Sequence, residues 1–245
     1  MVASTALLAA APATSSTTLR WEQVVLQALE RGRAQSPKAK QSRSRDRHAE
    51  ILSAAVRVFA RDGIARARIA DIAAEAGVPL SSVYDYYDSK EDIAYAVPIA
   101  QTSEFVAEFH AKALKLEGAD ERLYLFMWLT VDFARRHQDW ARTLYLEVWP
   151  SVMVNKTRVK DSLDDFGRIM YTLIQDGEQA CLWPADPNRY QTVTIFIGSL
   201  SQMIITWLLY KRPRQLMKAT APLVQRLMGL LQTLTPSIDR RRAKN

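Results

Sequence analysis

The stretch that most constrains this chain is Arg68 to Lys90, RIADIAAEAGVPLSSVYDYYDSK. Ile69, Ile72, Ala73 and Ala76 fall at i, i+3, i+4 and i+7, the apolar stripe of one short helix. Gly77 marks its stop, because the residue there takes a positive φ that glycine alone adopts without steric cost. Val78 can plug the elbow, and Pro79 suits the opening of a second helix, where its missing N–H is not needed. Val83 and Tyr87 repeat at i and i+4 as the inner edge of that helix, with Tyr87 read as core. Ser81, Ser82, Tyr84, Asp85 and Tyr86 occupy the rest of its circumference. Ser89 can cap a third helix, with Glu91 and Asp92 near its positive end. A short helix, polar outside and held by a tight turn against an apolar partner, has the shape that enters a major groove. An ordinary helical hairpin is the plainer reading of the same turn.

The flanking residues narrow the choice. Ile51-Leu52-x-Ala54-Ala55 and Phe59-Ala60-x-Asp62-Gly63 precede the turn, and Val83-Tyr84-x-Tyr86-Tyr87-x-Ser89-Lys90-Glu91 follows it. With Ile69-x-Asp71-Ile72-Ala73-x-x-Ala76-Gly77-Val78 between them, residues 45–95 resemble the DNA-binding end of the TetR-type (tetracycline-repressor-like) family of transcription regulators. The rest of the chain matches only in length and helical layout. The resemblance implies an all-α fold: an N-terminal three-helix helix-turn-helix domain, then a larger helical bundle for regulation and dimerisation. It implies base contacts from Leu80, Ser81 and Tyr84, and phosphate contacts from Arg68, Ser82, Tyr86 and Lys90. Periodicity leaves Leu80 between reading and core. Two departures stand out: Ala67-Arg68 replaces a threonine cap common in the family, and Pro79 replaces the serine or threonine that often opens the reading helix.

Charge supports the division. Residues 1–68 hold 12 Lys/Arg and 5 Asp/Glu, a surplus of seven, whereas residues 69–245 hold 21 of each. A basic end before a neutral body suggests a nucleic-acid end and a body with other work. The expected units are a mostly disordered basic arm (1–44) with a short amphipathic helix at 21–31, a DNA-binding domain (45–92), a ligand-binding and dimerisation domain (93–235) and a basic tail (236–245). Residues 31–47 carry seven Lys/Arg against Asp46 alone, and read either as an arm along phosphates or as a solvated linker. The first 19 residues lack the basic start of a secretory signal. The single cysteine, Cys181, fits a reducing compartment, and a cytoplasmic location is expected.

From Ile93 to about Leu234 the pattern is helical. A connecting helix through Ile93, Val97, Ala100 and Phe105 is kinked at Pro98; further helices cover 120–137, 139–149, 156–178, 189–211 and 214–234. Tyr190 to Tyr210 carries no charge and is long enough to span a bilayer, but seven of its 21 side chains are polar. A buried bundle helix or dimer seam fits that composition better than a membrane span. By resemblance, 189–211 and 214–234 pair with a second subunit as a homodimer.

Sixteen of the 22 aromatics lie between Phe105 and Tyr210, enough for an apolar effector cavity as well as plain core. Phe109, Trp128, Tyr145, Trp149, Phe166 and Met170 are the expected lining, with His137, Arg142 and Glu147 as possible polar ends. His48, His110 and His137 stand apart, and no zinc, phosphate-loop or nucleophile-elbow motif occurs. Asp164-Asp165 reads as a solvated helix face. No catalytic residue, metal or cofactor is expected. The partners expected are double-stranded operator DNA, a small apolar or aromatic effector and a second copy of the chain. The rival readings are a membrane-anchored regulator and a helical enzyme or carrier with a vestigial DNA end.

Overall fold

The computed structural model describes residues 18–35, 42–150 and 157–233, and every regular element among them is helical. In chain order these are α1 (Thr18–Gln35), α2 (Ser42–Asp62), α3 (Ile69–Ala76), α4 (Leu80–Tyr84), α5 (Lys90–Ala113), α6 (Ala119–Arg136) and α7 (Gln138–Arg142). α7 runs on into a wide π turn, Thr143–Val148; α8 (Thr157–Gln179), α9 (Arg189–Tyr210) and α10 (Leu216–Gln232) follow. The expected disordered start before residue 18 and the basic tail at 236–245 lie outside the described residues.

The head forms as its local chemistry dictates. Ile51, Leu52, Ala55, Val58 and Phe59 of α2 are buried against Ile72 and Ala73 of α3 and Val83 of α4. Gly77 sits at φ 66°, and its N–H and that of Val78 close the end of α3 on Ala74 O and Ala73 O, each at 3.1 Å. Arg68 offers no side-chain cap. Asp71 compensates, its Oδ2 accepting from Arg68 N at 3.0 Å. Ser89 caps α5, its Oγ accepting from Asp92 N at 3.1 Å. α5 then continues from the head into the body, through Pro98 and across the expected boundary at 92–93.

α1 departs from expectation. It is 18 residues long rather than eleven, and it is part of the body. Trp21, Val25 and Ala28, at i, i+4 and i+7, are buried against α5 and α8. The Trp21 ring meets Phe109 edge-on at 6.0 Å, and the Arg122 guanidinium lies 5.3 Å from its centre. Arg31 grips Asp165 with two bonds, Nε to Oδ2 at 2.9 Å and Nη2 to Oδ1 at 2.5 Å. Two expectations are corrected by that pair: Arg31 is spent on α8 rather than left for phosphates, and Asp165 is buried, not solvated. The reading of 31–47 as an unstructured arm also fails. Ser42 and Ser44 stand inside α2, and only residues 36–41 of that stretch lie outside the described helices.

Beneath α1, polar groups are left without partners. Asp176 on α8 is 2% exposed, and neither of its carboxylate oxygens is hydrogen-bonded; Trp21 Nε1 and Arg122 Nε are orphaned as well. Burial pushes the Asp176 carboxyl up to about 6, against the pull of Arg20 and Arg122.

The body packs around Phe126, whose ring lies 5.3 Å from Phe105, 5.0 Å from Phe109 and 4.7 Å from Phe166. α6 lies against α5, α8, α9 and α10. α9 leaves Tyr190, Ile195, Leu209 and Tyr210 exposed, and α10 leaves Leu230 exposed. Among the described residues one helix, α9, is long and apolar enough to cross a membrane by length and composition, and a third of its most apolar stretch is buried within the chain.

Candidate nucleic-acid and effector sites

α4 is five residues long, so its neighbours fix what it presents. Leu80 and Tyr84 are exposed at 43% and 51%, one turn apart on the same side, with Ser81 exposed between them. Arg68, also exposed, stands at the start of α3. Ser82 does not join this surface. It is buried beside Val83, because the tight Gly77 turn draws α4 so close to α3 that the inner arc takes in both residues. Tyr86 is half-buried, its ring 5.6 Å from His48. Lys90 is half-buried too, and its Nζ donates to Ala65 O at 3.0 Å, tying α5 to the loop before α3.

His48 emerges as the polar wedge of the head. It lies 5.6 Å from the rings of both Tyr86 and Tyr87, and its Nε2 is 2.5 Å from the buried Tyr87 hydroxyl. Burial lowers the His48 pKa and raises that of Tyr87. A lone histidine on α2 carried no sign of this contact, since its partners come from 39 residues further on. Part of the basic surplus is also neutralised nearby: Arg57 and Arg61 pair with Glu75 on α3 at 2.6 and 3.6 Å.

In the body an apolar cavity of about 60 Å³ lies between α5, α7, the π turn, α8 and α9. Tyr145, Trp149 and Phe166 line it, as the sequence suggested. Phe109, Trp128 and Met170 do not. Phe109 is fully buried against Trp21 and Phe126, Met170 is buried in the core on α8, and Trp128 borders a separate shallow groove with Tyr124 and Met228. Thr102, Phe105, Trp140, Leu144, Ile197, Leu200 and Ser201 complete the lining. Three residues, Trp149, Ile197 and Ser201, also border an open groove of about 800 Å³ between α8 and α9, so the two spaces share a wall at that edge. Of the expected polar ends, Arg142 reaches Leu208 O at 3.4 Å instead, His137 stacks on Phe133 at 4.1 Å, and Glu147 is exposed.

The π turn is where cavity and head meet. Trp149 N donates to Leu144 O at 2.8 Å, five residues back, and this wider turn sets Leu144, Tyr145 and Trp149 along the cavity. The same turn and α7 pack against α2. Among the described residues no group of three or more His, Cys, Asp or Glu side chains converges as a metal site would require.

Residues 51–97, from α2 into α5, match the family model described as bacterial regulatory proteins, tetR family. Over those residues the chain is a tetR-family segment. Among its relatives is the fatty acid metabolism regulator protein of Bacillus subtilis, 21% identical over 165 residues, 67% of this chain and 85% of that protein. The HTH-type transcriptional regulator LuxR of Vibrio harveyi is 31% identical over 124 residues, which are 45% of this chain and 58% of LuxR. In fold the chain is similar to FadR from Bacillus subtilis, solved with stearoyl-CoA (TM-score 0.69, 20% identity, 74% of this chain and 97% of that one). It is similar also to the ketosteroid regulator KstR2 of Mycobacterium tuberculosis (TM-score 0.60, 15% identity, 80% and 97%). These neighbours match over almost their full length and leave a fifth to a quarter of this chain unmatched.

Proposed function

We propose that this tetR-family transcription regulator is a homodimer that binds a roughly palindromic operator as a repressor and leaves it when a small apolar effector enters the body. One observation carries the reading: the cavity is walled by α5 and the π turn, and both also pack on the head. At about 60 Å³ the cavity is far smaller than the roughly 300–1,000 Å³ of an ordinary ligand site, so an effector must open it. Opening displaces Tyr145, Trp149 or Phe166, and with them the elements on which α2 rests. The effector lowers DNA affinity only by its differential affinity for the two arrangements. The stearoyl-CoA in the Bacillus FadR structure makes an acyl chain a reasonable first candidate.

On the head, we assign Leu80, Ser81 and Tyr84 to base edges and Arg68, with Tyr86 and Lys90 at its margins, to phosphates. The dimer brings together α9 and α10 of two chains, within 189–211 and 214–234. Tyr190, Ile195, Leu209, Tyr210 and Leu230 are the exposed apolar groups a second copy would cover, and nothing lies within 4 Å of where a Cβ on Gly198 would stand, so a partner helix has room to approach closely there. This pairing also accounts for the apolar length of α9 without a membrane, in keeping with a cytoplasmic location. The two reading helices would then sit about one DNA turn apart, some 34–36 Å.

The test is selection of bound DNA from a random pool by the full chain, followed by titration of acyl esters against the selected duplex. Enrichment of a two-fold symmetric site, bound by a dimer in detergent-free buffer and released by an apolar compound, supports the reading. Recovery of unselected sequence with uniformly steep salt dependence refutes it.

A further inference from the structure

The cavity lining has a polar minority, and not all of it is satisfied. No charged side chain lines it among the described residues. Of its five side chains able to hydrogen-bond, Tyr145 and Ser201 bond to each other, and Trp149 is 44% exposed. The other two have no partner. Trp140 is 7% exposed, and its Nε1 is buried without a hydrogen bond. Thr102, 8% exposed on α5, has a hydroxyl that makes no hydrogen bond either, unlike Thr130, Thr143 and Thr172, which each donate to the carbonyl four residues back. Buried polar groups in folded proteins are paired as a rule, and a buried unpaired donor on Trp140 together with a free hydroxyl on Thr102 in the lining of one small cavity asks for a third party.

The chemistry of that third party is constrained. An indole Nε1 donates and never accepts, so it needs an acceptor. A carboxylate or phosphate is disfavoured, because no cation in the lining would offset the cost of burying it. A threonine hydroxyl can donate to the same atom, and a carbonyl oxygen has two lone pairs with which to take both bonds. We infer that the effector is an elongated apolar molecule with one uncharged carbonyl, of ketone, ester or thioester type, held by Trp140 on α7 and Thr102 on α5. The assignment rests on the cavity being the effector site. It adds the identity of the polar group and makes the sensor direct: one bond falls on the helix that enters the head, the other on the helix that leads into the π turn.

The experiment compares three probes of one chain length, 2-decanone, decane and decanoate, by titration calorimetry with the full chain. The expected result is a preference for the ketone over the alkane of about tenfold, the discrimination one net hydrogen bond supplies. Trp140→Phe and Thr102→Val should each erode that preference, read as the ratio of ketone to decane affinity within each variant. Thr102→Val keeps the side-chain shape and serves if Trp140→Phe folds poorly. Equal affinity of the wild type for ketone and alkane overturns the carbonyl assignment but leaves the cavity as effector site. Preference for decanoate overturns it in favour of a charged ligand. Failure of all three to bind overturns the effector site and the assignment together.

Discussion

Replacing Asp176 with Asn should stabilise this protein at neutral pH and do nothing at acid pH. The carboxyl is 2% exposed, accepts no hydrogen bond and is pushed from 3.8 up to about 6 by burial, with Arg20 and Arg122 offsetting only part of that cost. A raised pKa means that the folded protein holds its proton more tightly than the unfolded chain does. The contribution of this group is therefore complete below pH 3.8 and is lost as pH climbs through about 6. The difference of about 2 units, at roughly 1.4 kcal/mol each, gives about 3 kcal/mol as the upper limit of the penalty once the group is ionised. Asn keeps the shape, carries no charge and leaves the unpaired polar atoms, so it should recover about 1–3 kcal/mol at pH 7.5. For a chain of this size that is about 2–12 °C in melting temperature. Urea melts of wild type and variant at pH 4.5, 6 and 7.5 read the difference free of other titrating groups. A difference that stays flat with pH, or a variant less stable at pH 7.5, would refute the claim that Asp176 is buried without a partner.

Other outcomes follow from the same geometry. Tyr84→Ala should blur sequence preference across a DNA library, whereas Lys90→Ala should weaken every sequence alike and cost a little stability through the lost Ala65 bond; uniform loss for Tyr84→Ala removes it from the base-reading set. Trp21→Ala should cost about 3–5 kcal/mol in urea melts, and a cost under about 1 kcal/mol would mean that α1 does not hold its seat on α5 and α8. Gly77→Ala should cost only about 1–2 kcal/mol, since its φ is 66° but open space surrounds the added methyl; Gly177→Ala should cost more, its methyl falling 1.9 Å from the Trp183 ring. Because the His48 pKa is lowered, the head should lose stability as pH falls below about 6.5, and His48→Phe should flatten that dependence while forfeiting the bond to Tyr87; circular dichroism melts across pH check it.

What the sequence disclosed divides by range. The turn at Gly77, the proline-led α4 and the Ser89 cap are written in residues that touch their own neighbours, and they stand where expected. Ser82 is the exception within that range, because a five-residue helix has no face that periodicity can assign. Phe109, Trp128 and Met170 show the limit in the body. An aromatic at helical spacing points inward either to a cavity or to core, and the difference is made by a distant residue. For Phe109 that residue is Trp21, delivered by α1, whose docking depends on α5 and α8 surfaces unknown until the bundle is assembled. Thr102 and Trp140 were hidden for the same reason: neither sits in a motif, and only the bundle sets them on one wall.

α1 also leashes the head. The chain leaves it at Gln35 and re-enters at Ser42, seven peptide steps that reach at most roughly 25 Å at full stretch. A head joined to its body by α5 alone could swing as widely as one pivot permits. This one is moored fore and aft, so its travel is confined to a short arc whose radius the length of that span decides, and lengthening the span by a few residues would loosen the arc without touching either site.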